Sequence, residues 1–310
     1  MCDNHSPVFS IITPTYNRVS FLQRAYESVA NQTFRDFEWI VVDDGSTDDT
    51  RELVQKLKLT SPFPIQYIYQ ENSGLHIARN SGISLARGFL CVFLDDDDVL
   101  LPHALERFWH WWNSIPPALQ PRFAGIAALC EDLDTGRLIG DKFPKDIMVA
   151  TNVQMFYILG VRGDKARCFV TQILKENPWP NWRGHVTSAL IFNRLSKQYL
   201  FLFINEVLML KKTGFSHSRL THRKKRLLAE SAFASRLFFK ELLEHPLPLK
   251  SQARMMVHYI RYCFHGKVSL LRSLTELSGF HRVLFPLALP LGYWLYRRDL
   301  LRLSTRGMRT

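Results

Sequence analysis

The chain has 310 residues, of which 46% are hydrophobic and 13% aromatic. This composition can bury a large core, so it excludes a disordered chain, and the length allows one large domain with an appendage or two ordinary domains. The net charge of +12 is uneven, because residues 211–310 carry +15 whereas the first 210 residues carry −3.

Strand and helix patterns alternate along the first hundred residues. Short apolar runs at 8–13, 37–42, 65–69 and 89–94 predict four buried strands, and apolar residues at helical spacing follow each of the first three. Alternation of this kind is the signature of βαβ units on a parallel sheet. The sequence therefore predicts an α/β fold.

Polar residues recur where these strands end. Their carboxyl ends share one edge of a parallel sheet, and ligands bind in the crevice at that edge. The sequence therefore predicts a ligand site built from residues that follow the four strands: Tyr16, Asp43, Asp44, Asn72 and the run from Asp95 to Asp98.

The acidic run at 95–98 is the strongest chemical signal. Four adjacent carboxylates at the edge of a core repel one another and need a counter-charge, for which a divalent cation is the simplest source. Oxygen ligands at this density suit Mg²⁺ or Mn²⁺. The alternative is a solvated turn that caps the helix predicted to begin at Pro102.

Two common phosphate-binding loops are absent from the sequence. No G-x-G-x-x-G follows the first strand, and no G-x-x-x-x-G-K-[ST] occurs. Phosphates would then be held by metal and side chains, and Arg79 is the obvious cation. Nucleotidyl transfer to a sugar phosphate would require a Gly-rich basic loop after strand one, where the chain has Pro-Thr-Tyr-Asn-Arg.

Four motifs together resemble the successive signatures of family-2 glycosyltransferases. This resemblance implies a GT-A fold, which is Rossmann-like with a mostly parallel central sheet flanked by helices. The implied domain covers 7–210, with a nucleotide-sugar and metal half at 7–105 and an acceptor half at 106–210. The motifs are Ile-Ile-Thr-Pro-Thr-Tyr-Asn-Arg (11–18), Val-Val-Asp-Asp-Gly-Ser-Thr-Asp (41–48), Glu-Asn-Ser-Gly with Ala-Arg-Asn-Ser-Gly-Ile (71–74, 78–83) and Phe-Leu-Asp-Asp-Asp-Asp (93–98).

The resemblance also implies roles for particular residues. It makes 95–97 the D-x-D motif, with Asp97 as the main direct metal ligand. Asp95 is the second metal residue, and Asp95 and Asp96 face the ribose and the waters of the metal. It places Arg79 near the base and diphosphate, and it assigns the nucleobase contacts to Pro14, Tyr16 and Asp44.

The inverting chemistry that the resemblance implies requires a general base, usually a carboxylate just before the helix predicted from 188. No acid stands there, since the expected pair falls near 187–188 or near 183–184. His185 is the best local substitute, because its usual pKa of about 6.5 suits a base at neutral pH. Glu176 and Asp132 are more distant alternatives, and an inactive nucleotide-sugar-binding relative stays open.

Residues 211–310 form a basic, helical extension. Its longest uncharged run, 283–296, has 14 residues and contains Pro286 and Pro290, too short a stretch to span a bilayer. Basic amphipathic segments suit a peripheral contact with anionic lipids. Packing on the catalytic domain is the alternative, and nucleic acid is not an expected partner because no nucleic-acid motif occurs.

The sequence thus predicts a metal-assisted inverting transferase that moves a sugar from a UDP-sugar to a saccharide or lipid-linked acceptor. Five cysteines without a CxxC pair predict reduced thiols. The first residues lack the basic and apolar regions of a signal peptide. A cytoplasmic location at the inner face of the cell membrane is therefore expected.

Overall fold

The computed structural model describes residues 6–182, 184–213 and 231–304. Strands and helices alternate in its first part, as predicted. The first seven elements are β1 (Phe9–Thr15), α1 (Val19–Ala30), β2 (Phe37–Asp43), α2 (Thr50–Thr60), β3 (Ile65–Tyr69), α3 (Leu75–Leu85) and β4 (Leu90–Phe93).

The next part of the chain returns repeatedly to the same sheet, and four helices follow it. The elements up to residue 211 are β5 (Val99–Leu100), α4 (Ala104–Ser114), β6 (Phe123–Asp132), β7 (Ile147–Ala150), β8 (Lys165–Val170), α5 (Thr171–Glu176), α6 (Ala189–Leu195) and β9 (Leu200–Lys211). The later helices are α7 (Ala232–Leu243), α8 (Leu249–His265), α9 (Leu270–Thr275) and α10 (Phe280–Ser304).

Nine strands of the described chain form one sheet in the order β3-β2-β1-β4-β8-β6-β9-β5, with β7 paired to β9. The pairs β1–β2, β1–β4, β2–β3 and β6–β9 are parallel. Those of β8 with β4 and β6, and of β9 with β5 and β7, are antiparallel. The α/β prediction is confirmed. The first four strands are wholly parallel and end at one edge, whereas the later strands make the sheet mixed.

The first strand continues two residues further than predicted. Its predicted end was Thr13, before a turn at Pro14, but Pro14 is buried in β1 opposite Val42. Proline lacks an N–H, so it fits a strand only where no ladder bond is needed. The pairing of β1 with β4 reaches only Ile12, and beyond it Pro14 needs no donor toward β4.

Apolar residues cover both faces of the sheet and form a further cluster among the later helices. Three apolar residues of α1 at helical spacing, Leu22, Ala25 and Val29, are fully buried, whereas Phe21 is half-buried. Helices α7, α8 and α10 bury a separate cluster with Met256, Tyr259 and Ile260 at its centre. The four described cysteines are free and buried, in agreement with reduced thiols.

Residues 1–5, 214–230 and 305–310 lie outside the described chain, so parts of the expected N-terminus and basic extension are not described. Among the helices that are described, none has both the length and the apolar character needed to cross a membrane. This includes α10, which contains Pro286 and Pro290 and the predicted uncharged run.

A buried carboxylate joins the sheet to the turn before β4. The Glu38 side chain on β2 is fully buried and accepts hydrogen bonds from Ser10 Oγ at 2.7 Å and Gln66 Nε2 at 2.7 Å. It also accepts from the Arg87 backbone N–H at 2.8 Å and from the Arg87 guanidinium at 2.9 and 3.0 Å. Burial raises the pKa of Glu38, but these donors outweigh it and hold the pKa below the usual value of 4.5.

We expect Glu38→Gln to lower the free energy of unfolding by about 2 kcal/mol at pH 7, because it removes the charge of a buried carboxylate that accepts five hydrogen bonds. A depressed pKa stabilises the fold above pH 4.5, and this stabilisation is lost as the pH falls through the folded-state value. The difference between parent and variant should therefore narrow in urea denaturation at pH 3 to 4. Glu52→Gln, on the exposed side of α2, is the control and should change stability little at either pH. A difference in the free energy of unfolding between parent and Glu38→Gln that stays constant with pH would contradict this role for Glu38.

Candidate active site

The acidic run leaves the sheet at its middle. Strand β4 pairs with β1 on one side and β8 on the other, so the residues after Phe93 emerge between neighbouring strand ends. A turn follows at once, in which the Asp98 N–H donates to the Asp95 carbonyl at 3.0 Å. Asp96, Asp97 and Asp98 are buried, and Asp95 is half-buried. The carboxylates therefore face inward and need partners.

Arg18, directly after β1, is the partner of two of them. Its Nη1 lies 3.1 Å from Asp96 Oδ1 and its Nη2 lies 2.6 Å from Asp97 Oδ2. Thr15 Oγ1 donates to Asp96 Oδ2 at 2.8 Å, and Arg24 Nη2 donates to the Asp97 carbonyl at 2.8 Å. The end of β1 and the first turns of α1 thus hold the middle of the run.

Arg79 and Lys211 hold the two ends of the run. Arg79 on α3 donates to Asp95 Oδ1 at 2.7 Å and, through its other terminal nitrogen, to Ser188 Oγ at 2.5 Å. Lys211 Nζ, at the end of β9, lies 2.6 Å from Asp98 Oδ2 and 3.5 Å from Asp95 Oδ2. Asp95 therefore receives two cations from opposite sides.

These contacts correct the electrostatic reasoning from sequence. Three side-chain cations already oppose the four carboxylates, so the run can be stable without a metal. Burial favours the neutral form of Asp95, but Arg79 and Lys211 outweigh it and hold its pKa well below the usual range. Burial dominates at Asp96 and Asp98. It raises the pKa of Asp96 to about 7 and the pKa of Asp98 to about 6.

The acidic run offers a divalent cation few ligands from the protein itself. Within the described residues, no group of three or more His, Cys, Asp or Glu side chains is arranged to hold a metal. Mg²⁺, however, is commonly bound through one or two carboxylates, with substrate phosphates and waters completing its shell. Asp95 and Asp97 supply that smaller set of hard oxygen donors at the sheet edge. The residues therefore fit a metal that arrives with a diphosphate.

The end of β2 organises the neighbouring loop. Asp44 is buried, and its carboxylate accepts from Gln70 Nε2 at 2.7 Å and from the backbone N–H groups of Ser73 and Gly74 at 2.9 and 2.8 Å. Gly45 adopts φ +89°, and a Cβ there would lie 2.8 Å from the Asn72 nitrogen, so only glycine allows this close approach. Asp44 thus fixes the loop before α3 in addition to any ligand contact.

The other two predicted nucleobase residues differ from each other in exposure. Tyr16 is 46% exposed just beyond β1, where a flat ligand could stack on its ring. Pro14 is buried within the strand, so its side chain contributes to the floor of the crevice and less to its open surface.

The segment before α6 reaches the acidic run through Arg79. Ser188, one of the positions where an acid was expected, is the residue that Arg79 contacts. Partial desolvation, and then the charge of Arg79, lower the pKa of the exposed His185 below its usual value. The alternative position for the expected acid is near 183–184, and Arg183 lies outside the described residues. His185 is thus near the site and neutral at pH 7.

The two alternative bases are less suitable. Asp132, at the end of β6, accepts from the Thr135 N–H at 2.8 Å and from the Thr213 hydroxyl. Hydrogen bonds from Thr213 and Thr135 lower the pKa of Asp132, so it holds a proton poorly. Glu176 ends α5, where its carboxylate accepts from Gln172 at 2.9 Å.

Sequence reasoning assigned no role to Arg18 or Lys211. Arg18 stands in the quoted motif at 11–18, five residues after the predicted strand end at Thr13. Lys211 directly follows an apolar stretch at 200–210 that the structure folds as β9. The rule that polar residues cluster at strand ends would have found it. Lys211 lies far from the acidic run in the sequence, so local patterns could not predict their contact.

The fold and this edge site define a class of α/β proteins whose ligand sites lie at the carboxyl ends of parallel strands. The model of the family described as Glycosyl transferase family 2 matches residues 10–127. A Bacillus subtilis (strain 168) protein, "Putative teichuronic acid biosynthesis glycosyltransferase TuaG", is 38% identical over 210 residues, which are 66% of this chain and 79% of that protein. The chain belongs to glycosyl transferase family 2.

Two solved structures agree with the fold. S. aureus TarS 1-349 in complex with UDP-GlcNAc has a TM-score of 0.65 at 18% identity, covering 94% of this chain and 90% of that one. The mannosyltransferase PcManGT from Pyrobaculum calidifontis, in complex with GDP-Man and Mn²⁺, has a TM-score of 0.58 at 18% identity, covering 98% and 88%. The fold is GT-A, as the resemblance implied. Seven other curated relatives match over shorter segments, and the match spans 10% to 33% of their length.

Proposed function

We propose that this chain is an inverting glycosyltransferase that moves a sugar from a nucleotide-diphosphate sugar, a UDP-sugar, to a saccharide or lipid-linked acceptor. The observation that carries the proposal is the sheet edge where β1, β2 and β4 end, at which Arg18, Asp44, Arg79 and the acidic run lie. Cations and carboxylates together suit a charged diphosphate. The UDP-GlcNAc bound to the TarS neighbour supports the choice of donor class.

We assign the metal, Mg²⁺ or Mn²⁺, to Asp97 and Asp95. When bound, such an ion offsets the negative charge that develops on the leaving diphosphate. Arg18 now contacts Asp97 at 2.6 Å, so in this proposal its guanidinium turns from the carboxylate toward the phosphates. Asp96 keeps its hydrogen bond from Thr15 and faces the ribose side.

The nucleoside is held by the loops after β1 and β2. Tyr16 would stack on the base, Pro14 would support it from below, and the remaining lone-pair capacity of Asp44 would accept a ring N–H. Arg79, fixed between Asp95 and Ser188, keeps its charge beside the diphosphate. These roles require no rearrangement of the sheet.

We assign the general base to His185. The acceptor oxygen bonds to the anomeric carbon as the bond from that carbon to the diphosphate oxygen breaks. The bonding electrons leave with the diphosphate, and the hydroxyl proton passes to the neutral imidazole. A pKa below the usual value keeps His185 unprotonated at pH 7, which a base requires.

We expect His185→Gln to lower the turnover number of sugar transfer by about 100-fold or more. In the parent, protonation of His185 should lower kcat/KM below pH 6.5, because His185 is an active base when neutral and its pKa is lowered. Asp96, with its pKa of about 7, adds a separate fall. The variant should lose the part of the acid limb that His185 causes and keep the part that Asp96 causes. His110→Ala, on the exposed side of α4, is the control and should retain parent activity. An unchanged acid limb in the variant would exclude His185 as the base.

A second candidate is a nucleotide-sugar-binding relative without transfer activity. It is favoured by one observation, that Ser188 and not an acid meets Arg79. A panel of nucleotide sugars with Mn²⁺ separates the two, because any donor that binds the folded state raises its melting temperature. Release of UDP from the stabilising donor supports the enzyme. Stabilisation without release by any donor, with or without added acceptors, supports the binding protein.

The proposal also covers organisation and location. We infer that residues 7–210 form the catalytic domain and that the basic helical region of 211–310 brings it to the cytoplasmic face of a membrane. The sheet ends at Lys211, and the later helices pack mainly on one another. The Bacillus subtilis relative is named a putative teichuronic acid biosynthesis glycosyltransferase, which supports a role in cell-envelope polysaccharide assembly.

A further inference from the structure

Helix α10 is apolar on nearly all sides, yet only one side is covered. Leu284, Phe285 and Ala288 pack into the cluster with α8. Gly292 also faces α8, since a Cβ there would lie 2.5 Å from Ile260 Cγ2. A helix that is apolar all round is normally buried all round. The outer side of α10 therefore lacks the cover that its sequence predicts.

The uncovered residues form a continuous stripe, here called the outer stripe. Successive members are separated by three, four or seven residues, which places them on one face of a helix with 3.6 residues per turn. All of them are more than half exposed. The outer stripe consists of Phe280 (52%), Val283 (61%), Leu287 (75%), Leu291 (52%), Trp294 (54%) and Leu301 (63%).

Positive charge borders the outer stripe at both ends. At the first end, Arg282 is exposed, and its Nε donates to the Leu277 carbonyl at 2.7 Å. Arg297 and Arg298 lie near the other end, with the Arg298 guanidinium 4.9 Å from the Trp294 ring centre. The one acidic residue of α10, Asp299, turns inward to Arg261 at 2.5 Å and is also held by His265 at 3.0 Å. The exposed side of α10 thus combines apolar and basic groups without a carboxylate of its own.

We infer that the outer stripe of α10 lies in the headgroup boundary of an anionic lipid bilayer. Apolar side chains would enter the acyl boundary while the arginines contact lipid phosphates, and Trp294 suits the interface between them. The helix would lie along the surface without crossing the membrane, as the finding for the described helices requires. This inference names the surface for the membrane contact of the proposed function.

A second copy of the chain is a poorer occupant. In an antiparallel pair of α10 helices, the two-fold axis would bring Arg282 of each copy toward Arg297 and Arg298 of the other. In a parallel pair, Arg298 would face Arg298. Either arrangement sets like charges opposite each other with no carboxylate of α10 between them, which disfavours association. Lipid phosphates provide the missing negative charge.

The test is co-sedimentation of the full chain with vesicles of phosphatidylcholine and phosphatidylglycerol, compared with phosphatidylcholine alone. The parent should bind the anionic vesicles more tightly. Leu287→Asp with Leu291→Asp should lower the bound-to-free ratio at least about tenfold, because two apolar contacts are lost and two negative charges are added. Leu59→Asp, an exposed leucine on α2, is the matched control and should bind as the parent does.

Two further measurements distinguish lipid contact from self-association of the chain. Brominated lipids should quench the tryptophan fluorescence of the parent, and Trp294→Phe should lose most of that quenching while remaining folded. Gel filtration with light scattering reports self-association. Vesicle binding that is unchanged in the double variant, or a parent dimer that the double variant dissociates, would overturn the inference.

Membrane binding and sugar transfer can be separated in these experiments. Vesicle binding is measured without donor or acceptor, and UDP release from a soluble donor is measured without vesicles. The double variant should keep parent donor hydrolysis, since the outer stripe lies outside the site. Loss of either property alone therefore identifies which of the two proposals has failed.

Discussion

Replacing Asp97 with asparagine should lower the rate of sugar transfer by at least about 100-fold. A metal that stabilises the leaving diphosphate contributes several kcal/mol to the transition state, and each 1.36 kcal/mol corresponds to tenfold in rate. Asparagine preserves the size of the side chain but removes its charge. The measurement is UDP release at saturating donor with Mn²⁺.

The matched control for this substitution is Asp134→Asn. Asp134 is also an ion-paired aspartate, but its partner is Lys212 at the surface and its side chain is 46% exposed. We expect parent activity from this control. Thermal unfolding of Asp97→Asn should show that the variant is folded. Near-parent turnover in a folded Asp97→Asn protein would remove Asp97 from the mechanism.

Replacing Lys211 with methionine should destabilise the protein by about 3 kcal/mol. Lys211 contacts Asp98 at 2.6 Å and Asp95 at 3.5 Å. Its removal leaves the buried Asp98 carboxylate without the cation that opposes it, whereas Asp95 keeps Arg79. Burial lowers the pKa of Lys211, but these two aspartates outweigh it and raise the pKa above its usual value. The ammonium is therefore charged throughout the range in which the protein folds.

The neighbouring lysine provides the control. Lys212→Met removes the surface ion pair with Asp134, which should change the free energy of unfolding by about 1 kcal/mol or less. Urea denaturation of both variants at pH 7 measures the contrast. Because Mn²⁺ with UDP would supply replacement positive charge, the ligands should restore part of the stability of Lys211→Met. Equal effects of the two substitutions would contradict a special role for Lys211.

Much of the nucleotide half could be predicted because its signals are local. Buried parallel strands are short apolar runs, and helices between them repeat every three or four residues, so β3 was predicted with its exact bounds at Ile65 and Tyr69. The end of β1 was misplaced because Pro14 favours a turn when only the local sequence is known. The pairing of β1 with β2, which runs to Thr15 opposite Asp43, extends the strand past Pro14, and pairing is a property of the folded sheet.

The common location of the candidate site residues could be predicted from sequence, but their contacts could not. The order of the motifs predicted that Asp44, Arg79 and the acidic run lie at one edge of the sheet. The structure places them at that edge. The pairing of Lys211 with Asp98 could not be predicted, because β9 reaches β5 and β6 only through the topology of the later strands. Likewise, the uncharged run at 283–296 did not reveal which side of α10 packs on α8.

The central claim is that the carboxylates after β4 hold the diphosphate of the donor through a bound cation. Calorimetric titration of UDP into the parent and into Asp97→Asn, each with Mn²⁺ and with a chelator, measures this directly. We predict that Mn²⁺ tightens UDP binding by the parent at least about tenfold, and that Asp97→Asn loses this gain. If the two proteins bind UDP equally well and neither responds to Mn²⁺ or Mg²⁺, the assignment of the acidic run is wrong.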